Sequence, residues 1–459
     1  MLHCIVTYKF KMEWTRVVVI SLIMTHATSS TDGECFCLKE IASNLRNPLY
    51  MVHTVLNQEE VYFIAEQTGT IKSINVKSNV VQDYIDLREL VVIENRFREE
   101  RGLLGFALHP MFVNNHKLYT YSIRNFKKDY AVISEIKKSG THFDERILLA
   151  IPIPGEQRNG GQLLFGIDGY LYIFIGDGAE ASNTSRAQDR TSLLGKVLRL
   201  DVDSFDIVND KIQYYKVPEE NPFVNDTDWR PEIFALGTRN MWRCSVDRGD
   251  PATGEGRGTI YCGDTGDDLQ EEVDIITKGR NYGWNYREGN ICLNVTMCST
   301  IANEGHPIHT FNHSDGISAI VGGPVYRGTR FPGLTGKYIF GDFGSGRLYM
   351  LHNNSGQNWQ RSELNLCLTS KCGCKAHATP KQFLLAIGEG NLGEMFLLMT
   401  DNIMAQSAAS GAVYELVPPL NDTKTATCGS GSSRSLIGLL LASTFLFLLD
   451  YLQTIFTEI

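Results

Sequence analysis

Two opposite charges bracket the stretch RNGGQLLFGIDGYLYIFIGDG: Arg158 opens it and Asp177 stands in the closing Gly-Asp-Gly. An arginine keeps its proton at any ordinary pH, so Arg158 can hold an anion or pair with Asp177 but cannot act as a base. A second cation, Arg239, interrupts the apolar run IFALGTRNMW, where a guanidinium demands a partner. Permanent cations of this kind suit a site that stabilises negative charge. Other residues read as structural. Asp168-Gly169 is a hairpin turn. His109, in LHP, belongs to a strand-to-turn junction. Asp201, Asp203 and Asp206 in RLDVDSFD look superficially like a calcium loop but lack its glycine and its distant glutamate.

The elements that carry these residues are short strands. Between Cys35 and Val417 run VYFIA then GTIKSINV, KLYTYSI, YLYIFIG, GKVLRLDVD, KYIFGD then GRLYML, and GEMFLLMTD then GAVYELV. The 42 glycines and the scarcity of long helical patterns imply many tight turns. An aromatic-rich strand, a Gly-Asp turn and a strand starting at glycine recur at YLYIFIGDG, TIYCGDTGD and YIFGDFGSGRLYML. Such repetition predicts an all-β chain built radially, a β-propeller. A pair of sandwiches is the alternative. A propeller must join its first and last blades, and Cys35 and Cys37 can reach the late cysteines Cys367, Cys372 and Cys374 for that purpose. A metal site is the rival for Cys-x-Cys, though no matching histidine spacing appears.

At 459 residues and a formal charge of −9, the chain could hold one large domain or two, and its acidity argues against a nucleic-acid partner. Residues 1–30 read as a secretory signal peptide: Lys9, Lys11 and Arg16, then VVVISLIM, then HATSS, with cleavage near Ser29 or Ser30 and Met12 as an alternative start. Residues 35–417 form the propeller, 418–434 a polar stalk and 435–459 a hydrophobic tail. Small residues before the uncharged run Leu436–Leu449 fit a lipid-anchor (GPI) signal attached near Ser430. The alternative is a transmembrane tail, which would enclose Asp450 and place Arg434 on the outer side, against the positive-inside rule. Sequons at Asn183, Asn225, Asn294, Asn312, Asn353 and Asn421 agree with secretion. Of eleven cysteines Cys4 leaves with the signal, and the rest are even in number, as disulfides require. Cys244 and Cys262 lie on segments that read as neighbouring strands, and Cys292 and Cys298 close a short loop.

The motifs ERGLLGFALHP, NGGQLLFGIDGYLYIFIGDG, LLGKVLRLDVD, FALGTRNMWRCSVDRGDP, EEVDIITKGRNYGWNYREG and GKYIFGDFGSGRLYML, in this order, resemble the glucose/sorbosone dehydrogenase propellers. RNMWRCS followed by a cysteine in the next strand is similar to the Hedgehog-interacting-protein-like branch. The resemblance implies a six-bladed propeller that binds pyrroloquinoline quinone and calcium on one face, with a histidine base and an Asp and an Arg holding the reacting groups. Asp177 matches the family's active-site aspartate, and Arg239-Asn240 the Arg-Asn that lies against the quinone. Thr265-Gly266 falls where backbone carbonyls bind calcium, in place of the usual Val-Gly or Gly-Pro, and Glu100 where a polar residue meets substrate. Arg158 falls where the histidine base is expected. Trp284 matches a blade-turn tryptophan that packs in the core.

Three functions follow as expectations. The first is an extracellular binding protein for a protein or carbohydrate ligand, held to the membrane by a lipid anchor, with a degenerate dehydrogenase site. The second is a working quinone- and calcium-dependent aldose or sorbosone dehydrogenase. The third, implied by the branch alone, is capture of a Hedgehog ligand; the region after Gly-Asp-Gly carries Glu180 and Asp189 but no dense acidic loop.

Overall fold

The computed structural model describes residues 35–140, 142–178, 186–353, 358–367, 374 and 378–419. They form six four-stranded antiparallel sheets and two small two-stranded ribbons. Each sheet is one blade: blade 1 spans 48–86, blade 2 103–152, blade 3 160–236, blade 4 241–312 and blade 5 320–364. Blade 6 takes three strands from 383–417 and its fourth, Cys37–Leu45, from the start of the chain. The propeller expectation holds, and the sandwich alternative does not.

The strand texts explain this arrangement. Second strands such as Leu171–Ile175 (LYIFI) and Met395–Thr400 (MFLLMT) are apolar at nearly every position rather than alternating, and they are buried throughout. A strand covered on both faces reads that way. Here the covers are the neighbouring blades: Phe63, Phe106 and Phe112 fill one gap, Tyr172, Phe234 and Cys262 another, and Met51, Tyr62 and Phe396 a third. Outer strands such as Val81–Asp86 are largely exposed.

The inner strands all start on one face, called the upper face here, where Arg158 precedes Gly160–Phe165 and Arg239 precedes Met241–Val246. Turns from first to second strand lie on the lower face; Asp168-Gly169 is one of them. The ring closes non-covalently by pairing Cys37 with Val417 and Leu45 with Gly411. It closes covalently through a Cys37–Cys374 disulfide. Cys35 and Cys367, beside the Phe36–Leu366 bridge, are disulfide-bonded as well, which removes the metal rival for Cys-x-Cys. Cys244 and Cys262 are directly opposed in blade 4 and bonded, with Cα atoms 4.2 Å apart, and Cys292–Cys298 closes a loop of blade 4. Cys372 lies outside the described residues.

Four sequon asparagines, Asn225, Asn294, Asn312 and Asn353, are exposed, and the Asn294 side chain caps the short helix Val295–Cys298. Asn183, Asn421, Ser430 and the segments read as signal peptide and anchor lie outside the described residues. Among the described residues no helix is long and apolar enough to cross a membrane.

Candidate functional site

Loops from three blades converge at the centre of the upper face. Arg158 sits in a left-handed conformation, φ 55°, before its strand. A Cβ at Gly176 would lie 1.8 Å from the Arg158 carbonyl oxygen, so the glycine of Gly-Asp-Gly is what lets these two strand ends approach. Glu100 accepts a hydrogen bond from the Arg158 backbone N–H at 2.6 Å. The Arg158 Nε lies 3.2 Å from Asp177 Oδ1, so the guanidinium and carboxylate that bracket the stretch do pair. Trp284, from blade 4, donates from Nε1 to Asp177 Oδ2 at 2.7 Å.

The repeat makes Asp177 stand out. In blades 1, 4 and 5 the carboxylate at the end of the second strand caps backbone amides at the start of the same blade's inner strand. Glu66 accepts from Arg46 N at 2.8 Å, Asp264 from Arg239 N and Asn240 N at 2.9 and 2.6 Å, and Asp342 from Ser318 N and Ala319 N at 2.7 and 3.1 Å. In blade 3 the amide of Arg158 is capped by Glu100 of the preceding segment. The Asp177 carboxylate meets the side chains of Arg158 and Trp284.

Arg239 is the second cation. Its Nη1 donates to the Thr265 carbonyl oxygen at 2.8 Å, its Nη2 bonds Asp267, and its Cζ stands 5.3 Å from the centre of the Trp284 ring. Asp267 also lies 3.9 Å from Arg158 Nη1, so one carboxylate faces both guanidiniums. Asn240 is buried and ties blades together: its Oδ1 accepts from Gly160 N at 2.9 Å and its Nδ2 donates to Thr265 Oγ1 at 3.1 Å. The loop that holds Thr265, Gly266 and Asp267 is wound on Glu288, whose Oε1 accepts from the amides of Asp267, Leu269 and Gln270 at 2.8, 2.7 and 3.0 Å. Glu271 accepts from Gly266 N at 3.2 Å and contacts His313 Nε2 at 2.7 Å, a bond that raises the His313 pKa. Burial pushes the carboxyls of Glu100 and Asp264 toward their neutral forms, leaving the two guanidiniums less compensated than a formal count implies.

Because Glu288 is a single latch on three amides, Glu288→Ala is expected to free the 266–270 loop. Hydrogen exchange at these amides should accelerate by roughly 10²-fold or more, since charge-assisted bonds of this kind contribute about 2–3 kcal/mol. Unchanged protection there would refute the latch.

Of the residues singled out in the sequence, Glu100, Arg158, Asp177, Arg239 and the Thr265-Gly266 loop come together, and Asn240 lies beneath them. Trp284 corrects the reading of it as core alone: it is buried, 8 % exposed, yet its polar edge and its ring both serve the site. Asp267, Glu271, Glu288 and His313 were missed. For the three acids the signal in the sequence is an excess of carboxylates around a glycine turn; His313 carries none. His109 is structural as expected: Nδ1 accepts from Met111 N at 2.9 Å and Nε2 meets Asp203 at 2.9 Å. Asp201 caps the Asp203 amide at 3.0 Å, a turn contact.

The glucose/sorbosone dehydrogenase family model matches residues 45–371. Human Hedgehog-interacting protein is 31% identical over 402 residues, covering 84% of this chain and 53% of that protein. The HIPL2 protein of Arabidopsis thaliana is 33% identical over 317 residues, covering 56% of this chain and 44% of that one. The chain thus spans about half the length of these curated relatives. Among solved structures, the PQQ-bound form of aldose sugar dehydrogenase from Streptomyces coelicolor superposes with a TM-score of 0.58 at 19% identity, covering 84% of this chain and 99% of that one. At that identity the likeness concerns the fold.

Proposed function

The chain belongs to the glucose/sorbosone dehydrogenase family, and on that premise we propose that it is an extracellular binding propeller whose upper-face site is a dehydrogenase site without its chemistry. One observation carries this reading: a permanent cation, Arg158, stands on Asp177. A histidine there could exchange a proton with a sugar hydroxyl; a guanidinium cannot.

The cofactor fit is mixed. The Thr265 carbonyl that the resemblance assigns to calcium already accepts Arg239 Nη1, which sets a permanent cation where the metal would lie, so calcium does not fit the loop as it stands. A quinone bearing carboxylates would find two guanidiniums and an indole face, which suits an anionic, planar ligand. That surface equally suits an acidic carbohydrate or a carboxylate on an extracellular protein. A Hedgehog ligand is a narrower form of the same proposal. It rests on the likeness to Hedgehog-interacting protein of human and mouse. Of the acids after Gly-Asp-Gly, Asp189 is spent on Thr191 and Glu180 lies outside the described residues. Secretion through residues 1–30, glycosylation at the exposed sequons and attachment at Ser430 complete the proposal, with a transmembrane tail as the alternative to the lipid anchor.

The second reading, an active quinone- and calcium-dependent sugar dehydrogenase, draws on the convergence of Asp177 and Arg239. Dye reduction by the purified protein with calcium, pyrroloquinoline quinone and a panel of aldoses separates the two. The wild type is expected to show no turnover above background; sustained turnover would sink the binding reading. In the same assay Arg158→His reports how much has been lost. A site lacking only its base would gain about 10²–10⁴-fold. One whose calcium loop is also closed would stay silent.

A further inference from the structure

The ribbon formed by Asp206–Val208 and Lys211–Gln213 is an insertion between the third and outer strands of blade 3. It leaves the blade at the lower edge: Leu200 pairs with Leu171, beside the lower turn at Asp168-Gly169, and the next residue, Asp201, bridges Lys216. Asn209 and Asp210 have φ of 51° and 60°, the conformation a two-residue hairpin turn requires. Asp206 pairs with Gln213, Ile207 with Ile212 and Val208 with Lys211. Side chains alternate along a strand, so Ile207 and Ile212 share one face, and Phe205 and Tyr214, two residues outside them, fall on it too. Among the described residues nothing closes this face over. Phe205, Ile207 and Ile212 are 60, 64 and 57 % exposed, and Tyr214 is exposed beside Arg146, whose Cζ lies 5.5 Å from its ring centre.

An isolated hairpin has little stability of its own, and clustered apolar side chains left in water mark an interaction surface. Two observations name its occupant. Val417, at the end of the last strand, lies on the same lower face, opposite Cys37. Residues 418–459 follow it and include the uncharged run Leu436–Leu449, so a membrane tether made from them brings a bilayer to this side. Exposed apolar side chains also recur at other lower turns: Val80 in blade 1, Met111 in blade 2, Ile167 in blade 3 and Leu392 in blade 6. Contacts spread around one rim suit a plane. A second copy is the weaker occupant. At about 200 Å² for a large side chain, the ribbon's four, little more than half exposed, offer roughly half of the ~800 Å² that each partner of a stable dimer buries. Asp201, Asp203, Asp206 and Asp210 outnumber Lys211 and Lys216 along the ribbon and its base, which disfavours an anionic surface.

We propose that the ribbon rests in a zwitterionic bilayer surface, with Phe205, Ile207 and Ile212 at the acyl boundary and Tyr214 at the headgroups. The choice of a bilayer rests on the proposed membrane tether; the open apolar face does not.

The test uses the full chain, made in a secretory host and reconstituted into phosphatidylcholine vesicles with and without bromine on the upper acyl carbons. Ile207→Trp puts a reporter on the open face, and the wild type gives the baseline of the native tryptophans. The added fluorescence is expected to fall at least about twofold in brominated vesicles, since a side chain at the acyl boundary lies within reach of the bromines. Adding Phe205→Ser and Ile212→Ser, at exposed positions where substitution leaves the fold intact, should restore it. Phosphatidylserine in place of part of the lipid should weaken the quenching; stronger quenching there would overturn the choice of a zwitterionic surface. If the chain sediments with the vesicles while the Ile207→Trp signal stays unquenched, the placement of the ribbon is overturned and the tether stands. Chain left in the supernatant overturns the tether and the placement with it. Concentration-dependent dimers that the two serine substitutions dissociate would assign the face to a second copy and also overturn the proposal.

Discussion

Replacing Cys35, Cys37, Cys367 and Cys374 together by serine is expected to remove much of the protein's stability, whereas replacing only Cys37 and Cys374 should cost little. The Cys37–Cys374 bond joins residues 337 apart in sequence. For so long a loop the chain-entropy relation gives roughly 6 kcal/mol, against total stabilities of about 5–15 kcal/mol for folded domains. That stabilisation belongs to closing the ring, however, and not to one bond. While the disulfide bonding at Cys35 and Cys367 persists at the same junction, the ends stay together and the second staple adds little. The effects should therefore be strongly non-additive. Chemical denaturation of the two variants checks this, and a large loss from the Cys37/Cys374 pair alone would show that the two junction bonds do not constrain the same loop. Once all four are gone, the ring is held shut without covalent help, by the pairing of Cys37–Leu45 with Gly411–Val417, the Phe36–Leu366 bridge and the packing of blade 6 on blade 1.

A second large effect is expected at Asp274. Its carboxyl is fully buried beside the Cys244–Cys262 disulfide strand, opposite Cys262, and neither oxygen has a hydrogen-bond partner. Burial first, and then the nearby Asp264, raise its pKa well above the usual aspartate value. Glu272, across from Asp264 on the same strand pair, is raised in the same way. An acid whose folded pKa is raised binds its proton in the folded state after the unfolded chain has released it. Folding therefore loses stability as pH climbs from the unfolded value, near 4, toward the folded one, by up to about 1.4 kcal/mol per pH unit for each group. Asp274→Asn is neutral at every pH and nearly isosteric. The variant should be more stable than the wild type at pH 7, and the difference should shrink toward zero as pH falls to about 4. Urea denaturation of both proteins at pH 4.5, 6 and 7.5 measures it; a difference that does not change with pH would mean that Asp274 is ionised in the fold.

The blades were legible because the information in them is local. A strand such as YLYIFIG between turn residues announces itself, and repetition supplied the architecture. Ring closure was legible through Cys37 and the late cysteines. Asp177 and Arg239 were legible through the order of motifs, and Arg158 as a departure from it. Trp284 was not, since its role is set 107 residues away at Asp177, and a tryptophan in a blade turn gives no hint that its N–H points inward. Glu288 and Glu271 were hidden for a different reason: surface acids and latching acids are identical in text, and only the folding of blade 4 on itself brings their oxygens onto the 266–270 amides. Arg243 was concealed by its neighbours, because RNMWRCS reads as one motif while its two arginines take separate partners, Arg239 the Thr265 carbonyl and Asp267, Arg243 the Leu104 carbonyl and the Trp242 ring.

The last strand has a consequence of its own. Gly411 sits on the upper face against Leu45, and Val417 reaches the lower face opposite Cys37, so the chain leaves the ring on the side away from Asp177. On the proposed attachment near Ser430, a tether made from the residues that follow would hold the ring from beneath, with a reach of up to about 60 Å for a fully extended 17-residue stretch. The pair Arg158 and Arg239 would then look outward from the cell, toward ligands arriving from solution or from a facing cell. The lower mouth of the channel would open toward the cell's own surface, and the two mouths of one channel would sample different neighbourhoods.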